Sequence, residues 1–90
     1  MIQELMYVNG SIKRHDAVTF LDYPPNQNWA FNEHPKGIRG DVERIEKENI
    51  FVTITTYSGN RLSYYIPVKD WQKYIQVLNI RSTCYEEELA

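Results

Sequence analysis

The clearest alternation of apolar and polar positions lies at residues 50–56, IFVTITT, where Ile50, Val52 and Ile54 fall on one face and Phe51, Thr53 and Thr55 on the other. With so many β-branched residues, this pattern predicts a strand. Tyr57, Ser58, Gly59, Asn60 and Arg61 then form a turn cluster, and Gly59 and Asn60 both tolerate positive φ. Residues 62–66, LSYYI, resume the alternation with Leu62, Tyr64 and Ile66 inward and Tyr65 outward beside Ser63. The pair reads as a β-hairpin, and Pro67 is expected to end it because it lacks a ladder donor. Upstream, Ile38, Gly40 and Val42 share a face before Ile45 falls out of step, which predicts a bulge or sharp bend in a strand over 38–45. Glu46, Lys47, Glu48 and Asn49 make the polar turn between these strands. Residues 17–23, AVTFLDY, read as another strand with Val18 and Phe20 opposite Thr19 and Leu21. Residues 4–8 predict a short first strand, closed by a tight turn at Asn9 and Gly10.

Helix competes only in residues 68–78, VKDWQKYIQVL, where Val68, Trp71, Ile75 and Leu78 fit a helical spacing. The stretch is short, so a single 3₁₀ turn over 68–71 or slightly beyond, followed by a closing strand over 74–80, is the preferred reading. Val42, Ile50, Val52, Ile54, Leu62, Tyr64 and Ile66 are the expected core.

This order of elements resembles the SH3-like barrel class over about residues 16–80. The matching pieces are AVTFLDY, the excursion PPNQNWAFNEHPK, the meander GIRGDVERI, IFVTITTYSGN and RLSYYI, and then PVKDW before YIQVL. LDYPP and YYIPVKDW are similar to stretches of the peptide-binding SH3 domains, but Phe51 and Thr53 stand where those domains carry a tryptophan pair. Gly37, Ile38, Arg39, Gly40, Asp41 and Val42 give the GxxGxV entry seen in KOW-type and Tudor-like barrels and in the photosynthetic barrels that serve as accessory subunits. The resemblance implies an all-β fold: an SH3-like small barrel of about five strands, with a long loop after the first main strand and a 3₁₀ turn before the last. Residues 1–82 are then a single domain and residues 83–90 an acidic flexible tail.

Ninety residues, 42% hydrophobic and 24% charged, supply one ordinary globular core and exclude multidomain enzymes and repeat arrays. The net charge of −2 is concentrated at Glu86, Glu87 and Glu88, and without them the body is nearly neutral. That removes the strong basic excess by which nucleic-acid binders are usually recognised. Cys84 is the single cysteine and has no partner for an intramolecular disulfide. The first ten residues lack the basic and apolar regions of a signal peptide, and no apolar run approaches the ~20 residues that span a bilayer. A reducing, cytoplasmic setting away from membranes is therefore expected.

Catalytic chemistry has little to build on. His15 and His34 lack metal-ligand spacing, and Ser58, Ser63 and Cys84 stand in no nucleophile motif. No glycine-rich phosphate loop is present, so no enzyme activity, metal or cofactor is expected. What stands out is the segment 22–36, DYPPNQNWAFNEHPK, which sets Tyr23, Trp29 and Phe31 among prolines and asparagines. A loop of that length in a compact domain needs a functional or a packing reason. Trp29 and Phe31 can serve as a lid on an open barrel end, or one of the aromatics can anchor a partner, as tryptophan and tyrosine often do. The expectation is a non-catalytic interaction module, an accessory or regulatory protein that binds a larger protein through Tyr23, Pro24, Trp29, Phe31, Arg39 and Tyr65. A KOW- or OB-like barrel binding nucleic acid is the rival, since tyrosines with basic neighbours can stack bases. A small enzyme stands third.

Overall fold

A computed structural model describes residues 2–7 and 10–78 of the chain. It is all-β with one 3₁₀ segment. The strands are β1 (Glu4–Tyr7), β2 (Gly10–Lys13), β3 (Ala17–Phe20), β4 (Arg39–Ile45), β5 (Asn49–Thr55), β6 (Arg61–Pro67) and β7 (Ile75–Val77), with the 3₁₀ segment η1 (Val68–Lys73) before the last. β1 and β2 form a separate antiparallel hairpin, and the other five form one antiparallel sheet in the order β6-β5-β4-β3-β7. Among the described residues β6 does not pair with β7, so hydrogen bonding does not close the sheet into a barrel.

The meander follows the alternation except at Thr53, which lies on the outward-facing set of β5 yet is buried. β5 and β6 pair in register from Asn49 opposite Pro67 to Thr55 opposite Arg61, and Ile50, Val52, Ile54, Tyr64 and Ile66 are buried. Leu62 is only half-buried, because β6 is the outermost strand. In β4 the register slips by one residue between Val42 and Arg44, and this bulge returns Ile45 to the core, where it is fully buried.

Pro67 ends β6 as expected, but not for want of a ladder donor: the even-numbered residues of β6 bond to β5, while the nitrogen of Pro67 faces the open edge. A donor missing there costs the ladder nothing.

Two ends of the expected elements are shorter than the apolar pattern suggested. β3 stops at Phe20, where the chain turns into the long loop, and β7 covers Ile75–Val77. Residues 79 and 80 of the expected closing strand, the turn residue Asn9 and the expected tail 83–90 lie outside the described residues.

The hairpin partner β2 was not expected at all. Its Ile12 is fully buried and joins the main core, while Ile2 bridges to Ile45 and Tyr7 packs edge-on against Trp71 at 5.2 Å. The hairpin therefore covers apolar surface that the five-stranded sheet would otherwise leave open.

Gly40 marks the tightest backbone approach. A Cβ there would lie 2.7 Å from Val52 Cγ1 and 3.1 Å from the Thr53 carbonyl oxygen. Gly40→Ala should therefore lower stability by about 1–3 kcal/mol, the usual cost of overpacking, as read by urea denaturation. An unchanged midpoint would mean that β4 and β5 are not packed this closely.

Candidate functional site: the long loop and the outer face of the meander

The loop leaves β3 after Phe20 and returns to β4 through Gly37, whose N–H donates to the Phe20 carbonyl at 3.0 Å. Gly37 has φ +88°, a conformation that favours glycine at this corner. Between these points the loop has an inner and an outer side, fixed by which side chains find apolar contacts.

Trp29 and Phe31 belong to the inner side. The Trp29 ring centroid lies 5.4 Å from Phe20, 5.0 Å from Tyr64 and 5.1 Å from Phe31, and its indole N–H donates to the Glu33 carbonyl at 2.7 Å. The Tyr64 hydroxyl accepts the Ala30 N–H at 2.9 Å, so this core tyrosine also holds the loop backbone. Both loop aromatics are half-buried and act as a lid over one end of the core. Pro24 and Pro35 are buried as well.

Tyr23 belongs to the outer side. It is 50% exposed, and its ring meets His34 at 4.8 Å in an edge-on contact. His34 Nδ1 accepts the Lys36 N–H at 3.0 Å. Tyr65 is 38% exposed on β6, and its hydroxyl donates to the Asn26 carbonyl at 3.1 Å. The structure thus gathers Tyr23, Pro24, Trp29, Phe31 and Tyr65 around one loop. Arg39 stands apart, exposed at the start of β4 opposite Thr19, with no cation–π contact to the loop rings among the described residues.

Gln27 is the residue that sequence reasoning missed here. Its side-chain amide donates to the Tyr65 carbonyl at 2.7 Å and accepts the Tyr65 N–H at 3.0 Å, while also donating to the Pro25 carbonyl at 2.9 Å. These bonds fasten the loop to the free edge of β6. No local pattern announces such a role for a lone glutamine in a polar segment.

The outer face of the meander adds a charged half to the surface. Arg44 stacks over the Phe51 ring at 3.9 Å, Phe51 approaches Tyr65 at 6.3 Å, and the guanidinium is held by Glu43 at 2.7 Å and Glu46 at 3.4 Å. Glu43 also accepts the hydroxyls of Thr53 at 2.8 Å and Ser63 at 3.3 Å. A groove of about 480 Å³ runs beside it, with Arg14, His15, Asp41 and Arg61 among its walls. No set of three potential metal ligands occurs among the described residues, and no helix there is long and apolar enough to cross a membrane.

Glu43 titrates below the ordinary glutamate value, chiefly because the Thr53 hydroxyl donates to its carboxylate. Partial desolvation opposes the shift, whereas Ser63, Arg44 and Arg61 reinforce it. A depressed folded-state value means that the group stabilises the fold above the unfolded glutamate pKa and loses that contribution as pH falls through the folded value. Thr53→Val should move the Glu43 titration upward when followed by NMR. Its stability deficit relative to wild type should be smaller at pH 3 than at pH 7, and an equal deficit at both would reject the coupling.

No family model matches the chain, and no curated protein or solved structure matches it.

Proposed function

We propose that this chain is an SH3-like barrel acting as a non-catalytic interaction module, one that docks on a larger protein through the outer side of the 22–36 loop and the adjoining face of β5 and β6. The observation that carries the reading is the division of labour within the loop. Trp29 anchors it to Phe20 and Tyr64 with Phe31 packed against the indole, and Gln27 fastens it to β6, while Tyr23 and Tyr65 remain exposed beside it. A loop held at both places presents its aromatics with little ordering left to do on binding, which favours affinity. Arg39 lies outside this patch, and Trp29 and Phe31 support it rather than face a partner.

The charge layout favours a protein over nucleic acid. Arg44, the cation stacked on the exposed aromatic face, is already engaged by two glutamates. A phosphate backbone would have to displace them.

Site-specific photo-cross-linking tests the reading. A benzophenone side chain placed at Tyr23 or Tyr65 should cross-link the same discrete protein in extracts of the source cells, and one at Met6, exposed on the β1–β2 hairpin, should not. Binding of a single-stranded oligonucleotide that weakens steeply with salt, together with cross-links from Tyr23 to nucleic acid, would overturn it.

A further inference from the structure

The hydrogen bonds of the meander fix which backbone groups of β6 face outward. Thr56 N–H donates to the Asn60 carbonyl and Val68 N–H to the Glu48 carbonyl, and Tyr65 gives both of its backbone groups to Gln27. By the alternation of an antiparallel ladder, Leu62, Tyr64 and Ile66 bond to β5, whereas Arg61, Ser63, Tyr65 and Pro67 face the open edge. Two of these four positions are already closed. Tyr65 is taken by the Gln27 amide, which stands where a neighbouring strand's peptide group would stand, and Pro67 has no N–H. Arg61 and Ser63 leave a strip long enough to form two doubly hydrogen-bonded pairs with one more strand.

We propose that an extended acidic segment of the protein partner adds to this strip as a further antiparallel strand, beginning where Gln27 ends. The inference rests on the reading that the partner is a protein. It specifies how that partner is held.

The side chains around the strip define the chemistry of the occupant. On the outer face Arg61 is exposed and, unlike Arg44, makes no direct ion pair among the described residues, although Glu43 lies close enough to interact with its charge. An acidic residue directly opposite it would form a favourable cross-strand pair. Ser63 suits a threonine or serine opposite. On the inner face the incoming residue between these two would lie over Leu62, the least buried of the inward residues shared by β5 and β6, and an apolar side chain there would complete its cover. In antiparallel order the segment reads Thr or Ser, apolar, Asp or Glu.

A second copy of this chain fits less well. A two-fold pairing of β6 centred on Ser63 would set Arg61 against Tyr65, whose backbone groups are occupied by Gln27. The registers centred on Leu62 or on Arg61 remain, and both bring two Arg61 side chains to the same short contact.

The test uses the intact chain, labelled with ¹⁵N, and the blocked peptide acetyl-Ser-Thr-Val-Glu-Val-amide. In the free protein the Tyr65 amide should exchange slowly and the Ser63 amide fast. Peptide should shift the Arg61 and Ser63 amide signals and slow exchange at Ser63. Replacing the peptide's glutamate by lysine should weaken binding about threefold to tenfold, the scale of an exposed pair turned into a repulsion, and Arg61→Glu should invert that preference. Protection of Ser63 in dilute free protein would show that the chain covers its own edge, and protection that rises with protein concentration alongside a sedimenting dimer would assign the edge to a second copy. Either result overturns the proposal, as does the absence of any shift at Ser63 with millimolar peptide. If the cross-links at Tyr23 and Tyr65 persist in that case, the docking reading stands and only the strand-addition mode falls.

Discussion

Phe20→Ala should lower stability by about 3–5 kcal/mol, the range for deleting a buried aromatic side chain. Phe20 is fully buried on β3, the strand that joins β4 to β7, and its ring meets both Trp29 and Tyr64. The loss combines the transfer free energy of the ring with the cavity left behind, since neighbours held by a sheet relax only in part. A domain of this size has roughly 5–13 kcal/mol of stability in all, so the substitution should remove a quarter of it or more. In urea the midpoint should fall steeply with little change in slope. Tyr57→Ala, at the fully exposed tip of the β5–β6 hairpin, is the control and should change stability by about 0.5 kcal/mol or less. A midpoint for Phe20→Ala as high as that of the control would place the ring outside the core.

The meander was legible because each of its signals is local. In β5 the aliphatic residues Ile50, Val52 and Ile54 recur at every second position, so the face that packs inward follows from the sequence alone. The bulge in β4 was visible as the slip between Val42 and Ile45, and the shortness of the helical spacing after Pro67 pointed to the 3₁₀ turn. β2 was hidden for the opposite reason. It is four residues long with Ile12 as its only large apolar side chain, and its burial comes from contacts with β4 that lie far off in sequence. The edge role of Pro67 was hidden too, since a sequence does not say which way a backbone nitrogen points until the neighbouring strands are placed.

The candidate surface was legible only in outline. Tyr23, Trp29 and Phe31 could be singled out as unusual for a polar loop, but which of them turned inward depended on Phe20 and Tyr64. Gln27 and Glu43 were invisible because their roles consist of hydrogen bonds to residues 38 and 10 positions away. Arg44 and Phe51 become neighbours only through the bulge, which sets them opposite one another across β4 and β5. Polar residues that fasten one element to another carry no periodicity, and hydrophobic patterning is blind to them.

Trp29→Ala should lower stability by about 2–3 kcal/mol, less than a fully buried tryptophan would cost because the ring is half-buried. The part that is lost comes from its packing on Phe20, Tyr64 and Phe31, and from the indole hydrogen bond to Glu33 that closes one turn of the loop. Combining it with Phe20→Leu should give a coupling of about 0.5–1.5 kcal/mol, as expected for rings in direct contact. Affinity for the partner should fall as well, though through the loop: Tyr23 and Asn26 lose their support, while Tyr65 keeps its place on β6. The two roles separate by temperature. A lid that fails should recover affinity on cooling, where the residual structure of the loop is more populated, whereas a direct contact surface should not. If Trp29→Ala left stability unchanged and abolished cross-linking from Tyr23 at every temperature, Trp29 would itself be the anchor, and the inner and outer sides of the loop would have to be exchanged.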